Sequence, residues 1–297
     1  MINPTTKGMK MKKVSHCETV NEVLETIGAG QDYVVRGIPQ FPTYRGIFDG
    51  NDNPVAIVNK SYAKNSFMQP REVFNYVDDL REGLGMTFDK AGFTKGGRRM
   101  FVSLRKTNAI VVDPKVGDTM DEVLYLWSSF DGSVQHVINK MIERLVCSNG
   151  MVTMDTQAST KIKHSRIAGD KLQSFVSDNI DNIKATYSDT KDIVYSLAET
   201  PVSHSDAKEV INRIFKGDSK RGENIRDEVF NRFTKGMGNR GETAWDLLNG
   251  ITEYQNHGKS FRSTDGSSSS ENRLTSLTLG TDANLMNRVW NELVSLN

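Results

Sequence analysis

The run Lys95-Gly96-Gly97-Arg98-Arg99 constrains the fold more than any other stretch of this chain. Two adjacent glycines reach backbone conformations closed to other residues. They lead straight into Met100-Phe101-Val102-Ser103-Leu104-Arg105-Lys106, whose alternation is that of a strand. Residues 86–93 supply a strand before the turn, and residues 121–129, with Val123, Tyr125 and Trp127 on one side, supply one after it. Upstream, Tyr44-Arg45-Gly46-Ile47-Phe48 and the run 54–62 flank Asp49-Gly50-Asn51-Asp52-Asn53, a hairpin turn rich in residues that tolerate positive φ. Gln69-Pro70-Arg71-Glu72 then opens a helix whose stripe is Val73, Phe74, Val77 and Leu80, ended by Gly83 and Gly85. A hairpin, a helix and then a meander of strands is the order of an antiparallel α+β domain.

Elsewhere the helical period dominates. Val20, Val23, Leu24 and Ile27 form a short amphipathic helix stopped by Gly28. Val134, Val137, Ile138, Met141, Ile142 and Leu145 are spaced as on a helix, which predicts one over 134–147. Beyond 165 the pattern is helical almost throughout: 170–187, 192–197, 205–215, 225–233, 243–254 and 285–296. The expected fold is therefore α+β, an antiparallel sheet packed with helices and followed by a mainly helical C-terminal half. Its expected divisions are a flexible N-terminus (1–18), an α+β core (19–165) and a helical region (166–297) with a flexible loop near 258–272.

Net charge is +1, so attraction to a polyanion has to come from local clustering of cations. Between Lys90 and Lys106 lie Lys95, Arg98, Arg99 and Arg105 with no acidic residue among them. Such clusters bind phosphate backbones by neutralisation and counterion release. Phe93 and Phe101 interleave with these cations and offer rings on which a base stacks. The same block also fits a solvated hairpin that keeps an edge strand soluble. A second patch contains Lys161, Lys163 and Arg166. On the helix predicted there, Lys140 and Arg144 lie four apart on one face and extend a groove between the patches.

Chemistry-bearing patterns are sparse. The five histidines form no pair at metal-ligand spacing, and the acidic pairs Asp78-Asp79 and 118–122 lack the lysine constellation of a nuclease. Lys95-Gly96-Gly97 lacks the phosphate-loop spacing of an NTPase. Trp245 and Tyr254 fit a helix core, and Cys147, next to Leu145 and Val146, fits packing. Two distant cysteines suit a reducing compartment, and no apolar run approaches a membrane span. The expectation is a cytoplasmic, non-enzymatic protein with no cofactor, no metal and no membrane.

Three segments together resemble the phage- and plasmid-associated family named domain of unknown function 932. They are Val55-Ala56-Ile57-Val58-Asn59-Lys60-Ser61-Tyr62 with the helix at Val73-Phe74; Gly96 to Val102 with Ser129-Phe130-Asp131-Gly132-Ser133 and Arg144-Leu145-Val146-Cys147-Ser148-Asn149; and Thr243-Ala244-Trp245-Asp246-Leu247-Leu248-Asn249 with Thr252-Glu253-Tyr254. The resemblance implies an extended segment ahead of Arg144, in conflict with the helical spacing there. It also implies a setting near recombination and single-strand-binding genes. The order of elements is similar, as a topological analogy, to the core of Rad-type single-strand annealing proteins. Together these imply a single-stranded DNA-binding and annealing protein of phage or plasmid recombination or replication. It would need no cofactor and would act as a homo-oligomer, a ring or a filament. Its DNA contacts would be Lys95, Arg98, Arg99, Arg105, Lys106, Lys140, Arg144, Lys161, Lys163 and Arg166. A non-enzymatic factor binding a host or phage protein and a metal-dependent nuclease remain the alternatives.

Overall fold

The computed structural model describes residues 10–113, 118–144, 151–153, 159–262 and 267–296. Two antiparallel sheets and ten α-helices make up these residues. The larger sheet has the strand order β1 (Lys10–Lys13), β5 (Thr87–Thr94), β6 (Arg99–Asp113), β7 (Asp118–Ser129), β8 (His136–Arg144) and β10 (Ser159–Ile162). A short β9 (Met151–Thr153) pairs with the last part of β8, so β9 and β10 divide its outer edge. The smaller sheet is β2 (Val34–Gly37), β3 (Tyr44–Phe48) and β4 (Pro54–Asn59), with the 49–53 turn where the sequence places it.

The large sheet is buried on both faces. On one face Met100, Val102, Leu104, Leu124, Leu126, Ile138 and Ile142 pack against α1 (Val20–Ile27), α4 (Val77–Leu84) and α5 (Ala168–Glu199). On the other, Phe101, Val123, Tyr125, Trp127, Val137 and Met141 pack under Leu274 and Leu277 of α9 (Ser269–Leu279). Phe101 meets Trp127 at 4.9 Å between ring centroids. The remaining helices, α6 (His204–Ile214), α7 (Lys220–Lys235), α8 (Ala244–Glu253) and α10 (Thr281–Val294), complete the C-terminal half, with a π-helical turn at Tyr254–Gly258. Trp245 and Tyr254 are buried, as the helical spacing of 243–254 implies.

Four local expectations are corrected. The helix predicted over 134–147 is the strand β8 as far as Arg144. A strand covered on both faces carries apolar side chains on both, so the pairs Val137–Ile138 and Met141–Ile142 imitate a three-four helical spacing while serving opposite faces. The rest of that segment, with Cys147, lies outside the described residues. Of the N-terminus expected to be flexible over 1–18, residues 1–9 lie outside the described residues, while Lys10–Lys13 pair as β1 with β5 and Val14 and Cys17 are buried behind it. Lysines on this edge strand mark it as solvent-facing, which is how edges avoid further pairing. Of the flexible loop expected near 258–272, residues 263–266 lie outside the described residues, and its last part carries the start of α9, capped by the Ser268 hydroxyl, with Ser267 and Glu271 buried. Finally, 170–187 and 192–197 are one helix, α5, because no residue between them breaks the backbone ladder.

Candidate functional site

Register decides which cations meet. Arg99 pairs with Ser129, Trp127 with Val137 and His136 with Ile162. The β5–β6 turn, the β7–β8 turn and the exit of β10 therefore lie at one end of the large sheet. Lys95, Arg98 and Arg99 belong to the first of these, and Lys163 and Arg166 follow the last. Lys161, within β10, is two residues from that end. The two basic patches, some sixty residues apart in sequence, share one end of the sheet.

The β5–β6 turn takes three consecutive left-handed residues: Lys95 at φ 54, Gly96 at φ 66 and Gly97 at φ 94. Lys95 bears a side chain in that conformation, which costs roughly 1–2 kcal/mol. Its backbone N–H donates to the Glu271 carboxylate and its Nζ to the Ser267 hydroxyl at 3.2 Å, so α9 holds the turn down. Arg98 is exposed, with Asp131 at 3.9 Å. Arg99 donates from Nε to the Ser133 hydroxyl at 3.0 Å, and burial lowers its pKa from the ordinary arginine value, opposed by the Asp131 charge.

Around the β7–β8 turn sit two histidines that lie 28 positions apart in the sequence. The His136 and His164 rings are 4.2 Å apart between centroids. His136 Nδ1 is 3.1 Å from the Ser128 hydroxyl, and the His164 ring contacts the Val134 carbonyl at 2.6 Å and the Tyr62 hydroxyl at 3.2 Å. Burial, reinforced by His164, holds His136 down at about 3, so the pair is neutral near pH 7. Tyr62 belongs to α2 (Lys60–Asn65), and its ring lies against Gly132. A Cβ there would come within 2.8 Å of Tyr62 Cε2, and φ is +75°, so glycine is demanded on both counts. The Arg166 N–H donates to the Asn65 carbonyl at 3.1 Å. This brings the exposed Lys64 of α2 beside Arg166, a neighbour that sequence separation hides.

The other expected contacts lie elsewhere and are occupied. Arg105, on the α9 side of the sheet, donates to Asp121 at 2.5 Å, to Asp89 at 3.0 Å and to Glu143. Burial opposes its charge, but Glu143, Asp89 and the hydrogen bonds to Asp121 and Glu143 outweigh it and raise its pKa. Lys106 lies 3.8 Å from Glu122. Arg144 is buried and donates to Asp118 through Nε at 2.7 Å and Nη2 at 2.9 Å, while Trp245 Nε1 donates to the same carboxylate at 3.0 Å. Lys140 and Arg144 do share a face, as two-residue alternation along a strand also requires, but no groove joins them to the basic end: Arg144 is buried against Asp118, and Lys140 is half-buried and donates to Thr186 of α5. By contrast, Lys161, Lys163 and Arg166 are exposed, and among the described residues none has an ion-pair partner.

The acidic clusters noticed in the sequence have structural employment. Asp78 accepts from the Val20 N–H at the start of α1, and Asp79 accepts from the Gln173 amide. Among the described residues no group of three or more His, Cys, Asp or Glu side chains is placed to hold a metal ion, and no helix is long and apolar enough to cross a membrane. No curated protein and no solved structure matches the chain. Residues 54–278, about three quarters of the chain, match the family described as Domain of unknown function (DUF932), and the chain belongs to that family.

Proposed function

We propose that the basic end of the large sheet binds the phosphate backbone of single-stranded DNA, and that the protein anneals complementary strands without a nucleotide cofactor. The observation that carries this reading is the convergence of Arg98 and Arg99 with Lys163 and Arg166 through the register of β6, β7, β8 and β10. The contact set is narrower than the sequence implies: Lys95, Arg98, Arg99, Lys161, Lys163 and Arg166, with Lys64 added. Arg105 and Arg144 do structural work, Lys106 is drawn to Glu122, and Lys140 faces α5. Gripping phosphates and sugars leaves base edges free to pair with a second strand. A homo-oligomer, as a ring or filament, would align several such ends and raise avidity.

Fluorescence anisotropy with a labelled oligonucleotide tests this reading. Four neutralised phosphates give a slope of log affinity against log salt of about −3 for a single strand. Arg98→Glu combined with Lys163→Glu abolishes binding at physiological salt on this reading. Absence of binding at low salt, or an unchanged affinity in the double variant, overturns it.

A second reading has an observation of its own. The outward side of the small sheet exposes Val34, Tyr44 and Ile57, the last 69% exposed, and Phe41 nearby is 61% exposed. An apolar patch of this kind suits a protein partner. Binding that resists salt and is lost with Ile57→Lys favours that partner over DNA.

A further inference from the structure

A cleft of about 520 Å³ opens between β8, β10, α5 and α10, on the helix-covered side of the sheet and apart from the basic end. Its volume falls in the range of small-molecule sites. Lys140 of β8 projects into it, half-buried, and donates to the Thr186 hydroxyl at 3.1 Å. That hydroxyl in turn donates to the Asn182 carbonyl at 2.8 Å, which fixes its lone pair toward the ammonium. Among the described residues no carboxylate forms an ion pair with Lys140, and burial lowers its pKa with no charged neighbour offsetting it. Buried ammonium groups are ordinarily paired, because desolvation without a counter-charge is costly. The remaining walls are neutral hydrogen-bonding side chains, Asn179, Asn182 and Asn291, over a floor that includes Ile183 and Trp290. Asp189 also lines the cleft and is exposed to water.

We propose that this cleft is a binding site for a small polar molecule bearing an oxyanion, a phosphate or carboxylate group, which supplies the missing counter-charge to Lys140. The asparagines and threonine hydrogen-bond the rest of the ligand. A compact ammonium with three donors on a flexible stem suits an oxyanion as a point charge. The proposal does not rest on DNA binding at the basic end and survives the failure of that reading.

Inorganic phosphate and acetate, each at 10 mM and against sodium chloride at matched ionic strength, are the probes. Ligand linkage predicts that at least one raises the Tm of the full chain by about 2 °C or more. The rise is lost in Lys140→Met and retained in part in Lys140→Arg. No anion-specific rise in the wild type, or an equal rise in Lys140→Met, overturns the proposal. A second readout covers the case in which Lys140→Met does not fold: reductive methylation of the wild-type protein, followed by mass spectrometry at Lys140. The effective anion protects this lysine at least threefold if it binds there, and equal modification with and without it overturns the site.

Discussion

The backbone N–H of Lys95 donates to the carboxylate of Glu271, joining the β5–β6 turn to the first turn of α9 across 176 positions of sequence. Glu271 is buried, and its own N–H is capped by the Ser268 hydroxyl. The contact holds a lysine in the left-handed region, next to two glycines that adopt that conformation at less cost.

Removing the acceptor should loosen this turn. Glu271→Ala leaves a part-buried N–H without its partner, which costs roughly 1 kcal/mol or more. Glu271→Gln keeps a carbonyl oxygen and costs less. Urea unfolding gives the stabilities, and amide hydrogen exchange at Lys95 reports the turn directly. The expected result is faster exchange at Lys95 in the alanine variant than in the glutamine variant. Equal exchange in both would mean that α9 does not secure the turn.

Arg105 sits among Asp89, Asp121 and Glu143. Among the described residues Arg105 is the one cation hydrogen-bonded to all three, and Arg105→Met leaves the carboxylates facing one another. Breaking buried pairs in this way costs about 3–5 kcal/mol. Urea unfolding at pH 7 checks this, and a loss no larger than that of a surface substitution, about 0.5 kcal/mol, contradicts the arrangement. Oligonucleotide affinity should be unchanged in a folded Arg105→Met, because this guanidinium faces carboxylates rather than solvent.

Arg144 and Asp118 form an ion pair more deeply buried than the Arg105 cluster, closed by Trp245 Nε1. Asp118→Ala strands a guanidinium in the interior and should cost about 3–5 kcal/mol. Arg144→Met strands the carboxylate instead, with the indole N–H still donating, and should cost somewhat less. Because the residues touch, the double variant should be more stable than the sum of the single effects implies, by about 0.5–3 kcal/mol. Additive costs in a double-mutant cycle would show that the pair does not act as a unit.

How much of this was legible from residues alone follows from the range of the interactions. The hairpin at 49–53, the turn at Lys95–Arg99 and α1 are set by neighbours within a few positions, and the structure has each where local chemistry puts it. β8 defeated local reading because burial on two faces erases the alternation that marks a strand; the expectation of an extended segment came from the family resemblance. The basic patches were each visible, but their meeting depends on the register of four strands. Equally, Arg105 and Arg144 look like free cations in a linear sequence. Asp89 lies 16 positions before Arg105 and Asp118 lies 26 before Arg144, so only cross-strand geometry reveals the pairing. The His136–His164 contact leaves no local signal, because the two residues lie 28 positions apart and meet through the pairing of β8 with β10.

That histidine contact gives the folded state an acid limit. His136 has a folded-state pKa of about 3, against about 6.5 in an unfolded chain. His164 is lowered as well, by burial above all, with its hydrogen bond to Val134 and the Asp131 charge opposing. A base depressed in the folded state binds its proton more readily when unfolded. Stability is therefore intact above about pH 6.5 and falls as pH drops from there toward 3, by up to about 1.4 kcal/mol per unit for His136. Carboxylates lose their own contributions over the lower part of this window, so the wild-type slope alone does not isolate the histidine. His136→Asn retains a polar group facing the Ser128 hydroxyl but does not titrate there. Between pH 6.5 and 5 the variant should lose less stability than wild type, with the carboxylate terms cancelling in the comparison. Parallel curves of unfolding free energy against pH for the two proteins would place the acid sensitivity outside this pair.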